Sequence, residues 1–93
     1  MEKKIRLLKA LGDPSRMRIV QLLLCGEQCA CSFVPYLRKS QPTVSRHLGI
    51  LEKAGVVESR RDGTNIWYRL NSRDAVRVMS VLGIDRIKAK AKC

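Results

Sequence analysis

The sequence predicts a mainly α-helical domain carrying one β-hairpin, and three observations predict it. Apolar residues recur at helical spacing in five segments. After Gly55 the period drops to two, with Val57, Ser59 and Arg61 alternating with Glu58 and Arg60, then Ile66, Tyr68 and Leu70 with Trp67 and Arg69. Between those runs stands Asp62-Gly63, a hairpin signal because glycine accepts positive φ.

The first helix places Ile5, Leu8 and Leu11 on one stripe and ends at Gly12. Asp13-Pro14 reads as an N-cap followed by proline at the first helical position, where a missing N–H costs nothing. The second helix carries Met17, Ile19, Val20, Leu22, Leu23 and Leu24, apolar nearly all round in its last turns. That marks it as the central core helix, stopped by Gly26. A short third segment from Cys29 to Leu37 is anchored by Phe33, Val34 and Leu37, and Pro35 within it is tolerable if it falls in the first turn. Arg38-Lys39-Ser40 is a polar turn, and Ser40 or Gln41 caps a helix running from about Gln41 to Ala54. Val44, Leu48 and Leu51 are its buried stripe. After the hairpin, Asn71 or Ser72 caps a last helix with Val76, Met79 and Leu82 at helical spacing. Residues 88–93 form a basic tail expected to be mobile. The order is helix, helix, helix–turn–helix, hairpin, helix, the layout of a winged helix-turn-helix in one domain spanning residues 1–93.

Composition narrows the partner. The chain has 93 residues, 45% of them apolar, enough to fold but with a small core. Small domains often gain stability by pairing, so a homodimer is expected. Lys and Arg total 19 against 8 acids, a net charge of +11 that calls for a polyanion. No run approaches the roughly 20 apolar residues of a membrane span, and the first residues lack the apolar run of a secretory signal. The expectation is a soluble cytoplasmic protein with nucleic acid as partner and no membrane. A lone histidine and scattered acids offer no acid–base pair or nucleophile–base set, so no enzyme is expected and no cofactor is required.

The helix from Gln41 is the candidate reader of a major groove. With its apolar stripe turned inward, at about 100° per residue, Arg46 and Lys53 point outward and Thr43 and Ser45 lie on the flanks. Gln41, Thr43, Ser45 and Arg46 near a helix N-terminus are the side chains base edges require. The bland reading is a solvated polar face; the charge and the hairpin favour DNA. His47 sits at the margin of the buried stripe, placed to hydrogen-bond locally or touch a phosphate. Arg60 and Arg61 near the hairpin tip are placed to reach phosphates or the minor groove, against the alternative of ordinary edge-strand charge. Trp67 reads as a hairpin packing residue, since a chain with 4% aromatics is poor at stacking single strands.

Four stretches resemble the ArsR/SmtB regulators: Leu11-Gly12-Asp13-Pro14-Ser15-Arg16-Met17-Arg18-Ile19, Glu27-Gln28-Cys29-Ala30-Cys31, Ser40-Gln41-Pro42-Thr43-Val44-Ser45-Arg46-His47-Leu48, and Arg60-Arg61-Asp62-Gly63-Thr64-Asn65-Ile66-Trp67-Tyr68-Arg69-Leu70. The resemblance runs in order over nearly the whole chain. It implies a homodimeric repressor, paired through its first and last helices, that leaves operator DNA when an inducer binds. In the arsenic-sensing branch a Cys-Val-Cys-type motif opens the first helix of the helix-turn-helix, and Cys29 and Cys31 stand there. A third cysteine carried by some members is Val34 here. Asp74 has no histidine near it on the last helix, and the amino-terminal cysteines of the cadmium and lead sensors are missing.

The cysteine spacing has a reading of its own. Residues two apart on a regular helix project about 200° apart, so one ion held by Cys29 and Cys31 demands an unwound helix start. Ligation would then shift the first DNA-binding helix. Soft thiolates select thiophilic ions, and the resemblance names As(III) or Sb(III). Cys25 is the expected third ligand with Cys93 as competitor, against the plain alternative that Cys25 packs in the core as a reduced thiol. Two other functions stay open: a thiol redox switch on the same fold, and a general nucleic-acid-binding protein without a sensor.

Overall fold

A computed structural model describes residues 1–86. Its elements, in chain order, are α1 (Glu2–Leu11), α2 (Pro14–Leu23), β1 (Gln28–Cys29), α3 (Ala30–Leu37), α4 (Gln41–Lys53), β2 (Val57–Asp62), β3 (Asn65–Leu70) and α5 (Arg73–Val81). The mainly helical winged helix-turn-helix expected from the sequence is what forms. The basic tail 88–93, and with it Cys93, lies outside the described residues.

Each helix start has a local cause. The Asp13 carboxylate accepts from the Arg16 N–H at 3.0 Å, capping α2 with Pro14 at its first turn. Ser40 caps α4 and Ser72 caps α5, each through its hydroxyl oxygen. Between the open alternatives, therefore, Ser40 and Ser72 take the caps rather than Gln41 and Asn71. Pro35 is not in the first turn of α3 but inside the helix. Having no N–H, it leaves the Cys31 carbonyl without its usual i+4 donor. The helix ends soon after, at Arg38, which adopts left-handed φ 56° and ψ 41°.

α2 is the centre of the core, as its composition implied: Ile19, Val20 and Leu22 are fully buried and Leu23 nearly so. Phe33 from α3, Val44, Leu48 and Leu51 from α4, and Val56 and Val57 at the root of the hairpin pack into the same cluster. Phe33 meets Tyr68 edge-on at 6.4 Å between ring centres, fastening α3 to β3.

The sheet has three antiparallel strands in the order β1-β3-β2. β1 was not anticipated, since a two-residue strand shows no alternation. Asp62 pairs with Asn65, so the two-residue loop is Gly63-Thr64, one position later than Asp62-Gly63. Gly63 has φ 64° and Thr64 does not join it at positive φ, the pattern of a type II′ turn.

Two expected stripes divide. On α1 the core takes Leu7, Ala10 and Leu11, leaving Ile5 and Leu8 outside at 46% and 54% exposure. On α5 it takes Ala75 and Met79, while Val76 and Leu82 stay exposed beside Val81. Both helices are apolar over a wider arc than one small core covers. Lys4, Leu7, Leu8, Val78, Val81 and Leu82 line a shared groove between these helices. No helix among the described residues is long and apolar enough to cross a membrane.

Candidate nucleic-acid interface and thiol pair

The candidate reading helix, α4, starts where Ser40 leaves extended backbone and accepts from the Thr43 N–H at 3.4 Å. No acid occupies its first turn, so the positive end of the helix dipole faces outward uncompensated. Val44, Leu48 and Leu51 are buried, which turns Gln41, Ser45 and Arg46 to the surface. Thr43 is half-buried, and its hydroxyl takes a 3.0 Å hydrogen bond from Ser40. The face thus offers an amide, a free hydroxyl and a guanidinium near one helix N-terminus.

His47 faces elsewhere. Its side chain is 12% exposed, and Nδ1 lies 3.3 Å from Arg16 Nη1 and 4.0 Å from Asp13 Oδ2. Burial holds the imidazole below its ordinary value of 6.5, with the Asp13 carboxylate pulling the other way and the Arg16, Arg46 and Lys39 charges adding to the depression. Asp13 is itself held low, first by the Arg16 N–H it accepts.

The wing arginines separate. Arg60 is clamped by Glu27, with Nε and Nη2 donating to the two carboxylate oxygens at 2.9 and 2.8 Å. That clamp lowers the Glu27 carboxyl and raises the guanidinium. Arg60 also lies 5.7 Å from the Trp67 ring centre. Arg69 is ion-paired with Glu58. Arg61 is exposed and enters no ion pair among the described residues, so its guanidinium is not committed within the fold. Glu27 and Arg16 were the partners the sequence did not reveal. Arg60 and Glu27 stand 33 residues apart, and no periodicity links them.

The cysteines meet without unwinding a helix. Cys29 is the N-cap of α3, in extended backbone at the end of β1, and Cys31 follows inside the first turn. The turn between strand and helix lets the Cys31 thiol donate to Cys29 Sγ at 2.7 Å. The expected divergence of about 200° applies only inside a regular helix, and Cys29 is not inside one. Cys29 is buried and Cys31 exposed, and both are free thiols. The hydrogen bond to Cys29, then burial, push the Cys31 thiol above its ordinary 9.0. Cys25 is disulfide-bonded, against the expectation of a reduced thiol. Among the described residues no group of three or more His, Cys, Asp or Glu is placed to hold one ion, so Cys25 does not complete a trio with the pair.

The pair adjoins the wing through the sheet. Cys29 sits opposite Trp67, and Trp67 opposite Arg60, so the three form a row across the sheet on one face. The indole Nε1 is buried there without a hydrogen-bond partner.

Comparison with known proteins places this arrangement. A sequence profile of bacterial regulatory proteins of the arsR family matches residues 13–59. An HTH-type transcriptional regulator of Methanocaldococcus jannaschii is 46% identical over 74 residues, covering 77% of this chain and 83% of that one. The arsenical resistance operon repressor of Staphylococcus aureus is 46% identical over 65 residues, 70% of this chain but 62% of the repressor. Among solved structures, a homodimeric winged helix-turn-helix DNA-binding domain from Mycobacterium bovis, titled a possible ArsR-family transcriptional regulator, superposes with a TM-score of 0.81 at 30% identity. That match covers 89% of this chain and 77% of that one. From the profile, the relatives and the shared fold, the chain belongs to the ArsR family of DNA-binding bacterial transcriptional regulators.

Proposed function

We propose that the protein is a homodimeric repressor that holds operator DNA through Gln41, Thr43, Ser45 and Arg46 of α4 and Arg61 of the wing, and lets go when arsenite or antimonite binds Cys29 and Cys31. The observation that carries the sensing step is the 2.7 Å approach of the two sulfurs beside the helix-turn-helix. Soft thiolates suit a thiophilic ion, and two sulfurs form two bonds to As(III): each S–H proton leaves with an arsenite hydroxide as water. A third sulfur, from Cys25 with Cys93 as competitor, would require reduction of the Cys25 disulfide and a rearrangement that brings it to the pair. The row from Cys29 through Trp67 to Arg60 gives ligation a route to the wing, and the Pro35 gap at the Cys31 carbonyl softens the start of α3. The name of the Staphylococcus aureus relative supports an arsenical inducer. The uncovered apolar arcs of α1 and α5, and the homodimeric state of the Mycobacterium bovis domain, support pairing through those helices.

The test uses a duplex obtained by in vitro selection. Arsenite is expected to weaken binding by about 5–150-fold, the usual range of coupling between sites. Cys29→Ser/Cys31→Ser is expected to bind the duplex normally and ignore arsenite. Trp67, the one tryptophan of the chain, should change its fluorescence on ligation only in the wild type. Release that persists in the double variant overturns the assigned site, and a selection that returns no preferred sequence overturns operator recognition. The same 2.7 Å contact favours a second reading, oxidation of the pair to a disulfide. Release by peroxide, reversed by dithiothreitol, with no response to arsenite, selects that reading.

A further inference from the structure

α4 is held at its middle by more than packing. Arg16, in the first turn of α2, donates Nε to the Ala10 carbonyl at 2.7 Å and Nη2 to the Lys9 carbonyl at 3.4 Å. Those belong to the last turn of α1, which carries the negative end of the dipole; the Lys9 carbonyl also accepts from the Gly12 N–H at 3.2 Å. The remaining arm, Nη1, reaches His47 Nδ1 at 3.3 Å. A guanidinium only donates, so Nδ1 is the acceptor and the ring proton sits on Nε2. One arginine thus joins the end of α1, the start of α2 and the middle of α4. α1 also carries the uncovered Ile5 and Leu8.

We propose that His47 is a positioning residue for the reading helix: through Arg16 it fixes the angle of α4 against α1, and it touches no base. The proposal rests on the reading of α4 as the DNA-binding helix and goes beyond it. His47 is flanked by Arg46, which points outward, and Leu48, which is buried, so a small turn of α4 about its axis moves Arg46 off a base edge. In a dimer the error doubles, because two such helices must enter grooves about 34 Å apart. Nonspecific phosphate contacts tolerate that turn; base contacts do not.

Protonation is the natural lever. An imidazolium has no acceptor nitrogen and would stand as a second cation against Arg16. The groups around it are Asp13 from the α1–α2 corner, Arg16 from α2, Lys39 from the turn before α4, and Arg46 from α4 itself, three cations to one anion. The neutral ring is therefore the positioning form.

The experiment compares the selected duplex with a scrambled one for wild type, His47→Leu, His47→Asn and Arg16→Met, with thermal midpoints and pH profiles alongside. His47→Leu and Arg16→Met are expected to lose about tenfold or more in the ratio of specific to scrambled affinity while scrambled binding is unchanged. His47→Asn, whose amide oxygen stands in for Nδ1, is expected to restore the ratio. Wild type should lose specificity as the pH falls below 6.5, since the ring is held below that ordinary value and protonates only there, and His47→Asn should not. Arg16→Met carries the test if His47→Leu fails to fold. A wild-type preference shared in full by His47→Leu and Arg16→Met overturns the positioning role alone, as does an equal loss on both duplexes. A wild type with no preference overturns the reading of α4 and this role with it.

Discussion

Arg38 is the residue at which the turn of the helix-turn-helix is decided, and it does so in a conformation that suits it poorly. Its φ of 56° closes α3 with the Arg38 N–H on the Val34 carbonyl at 3.0 Å. The left-handed region costs an L-residue roughly 1–2 kcal/mol, and the greater chain entropy of glycine offsets part of that. Arg38→Gly is accordingly expected to raise the unfolding free energy by up to about 1 kcal/mol, read as a higher urea midpoint at constant m. The sequence placed a polar turn at Arg38-Lys39-Ser40 but could not say which residue goes left-handed, because that follows from where α3 ends against the core. At the thiols, residue identity was legible and geometry was not. Cys29 and Cys31 are candidate soft-ion ligands by their type alone; that they touch depends on Cys29 ending a strand whose partner lies 38 residues away, at Trp67. Arsenite ligation near neutral pH should release almost no protons, since each leaves as water, whereas a thiophilic divalent cation should release about two. Titration in weakly buffered solution with a pH indicator measures the difference.

The wing shows the same division at the scale of an element. Its strands, its turn and its arginines follow from alternation and from glycine at the tip, and the turn fell one residue from its expected place. What alternation cannot supply is the use of each arginine. Arg60 and Arg61 are neighbours in sequence on opposite faces of β2, and β1 brings Glu27 up to only one of those faces. Arg61→Ala is therefore expected to weaken binding to every duplex and to lower the salt slope by about one. Arg60→Ala should leave that slope unchanged and instead loosen the packing on Trp67, which its fluorescence reports. Binding isotherms across a salt series separate the two. α4 was the most legible element: its stripe of Val44, Leu48 and Leu51 is buried as spaced, and the Ser40 cap follows from local chemistry that needs no distant partner.

At the scale of the molecule, the uncovered arcs of α1 and α5 carry the last prediction. Leu8 at 54% and Val81 at 84% exposure contribute little to the fold of one chain. Leu8→Glu and Val81→Asp should therefore leave the thermal transition of the monomer in place, shift sedimentation to the monomer, and weaken DNA binding by about 100-fold or more as two-site avidity is lost. By itself the sequence determined the order of elements, the inward stripes of α2 and α4, the basic character, and the thiols before the helix-turn-helix. All of these rest on residues within a few positions of one another, where helical spacing, caps and turn chemistry act. Only the tertiary structure decided which side of α1 and α5 the core covers, which arginine Glu27 claims, and that Arg16 reaches His47. It also brought Cys29 and Cys31 into contact. The first three join residues far apart in the chain; the thiol contact joins near neighbours, but only because distant strand pairing holds one of them outside the helix. Their common physical reason is that a small core satisfies just part of each amphipathic surface, and which part depends on how the elements dock.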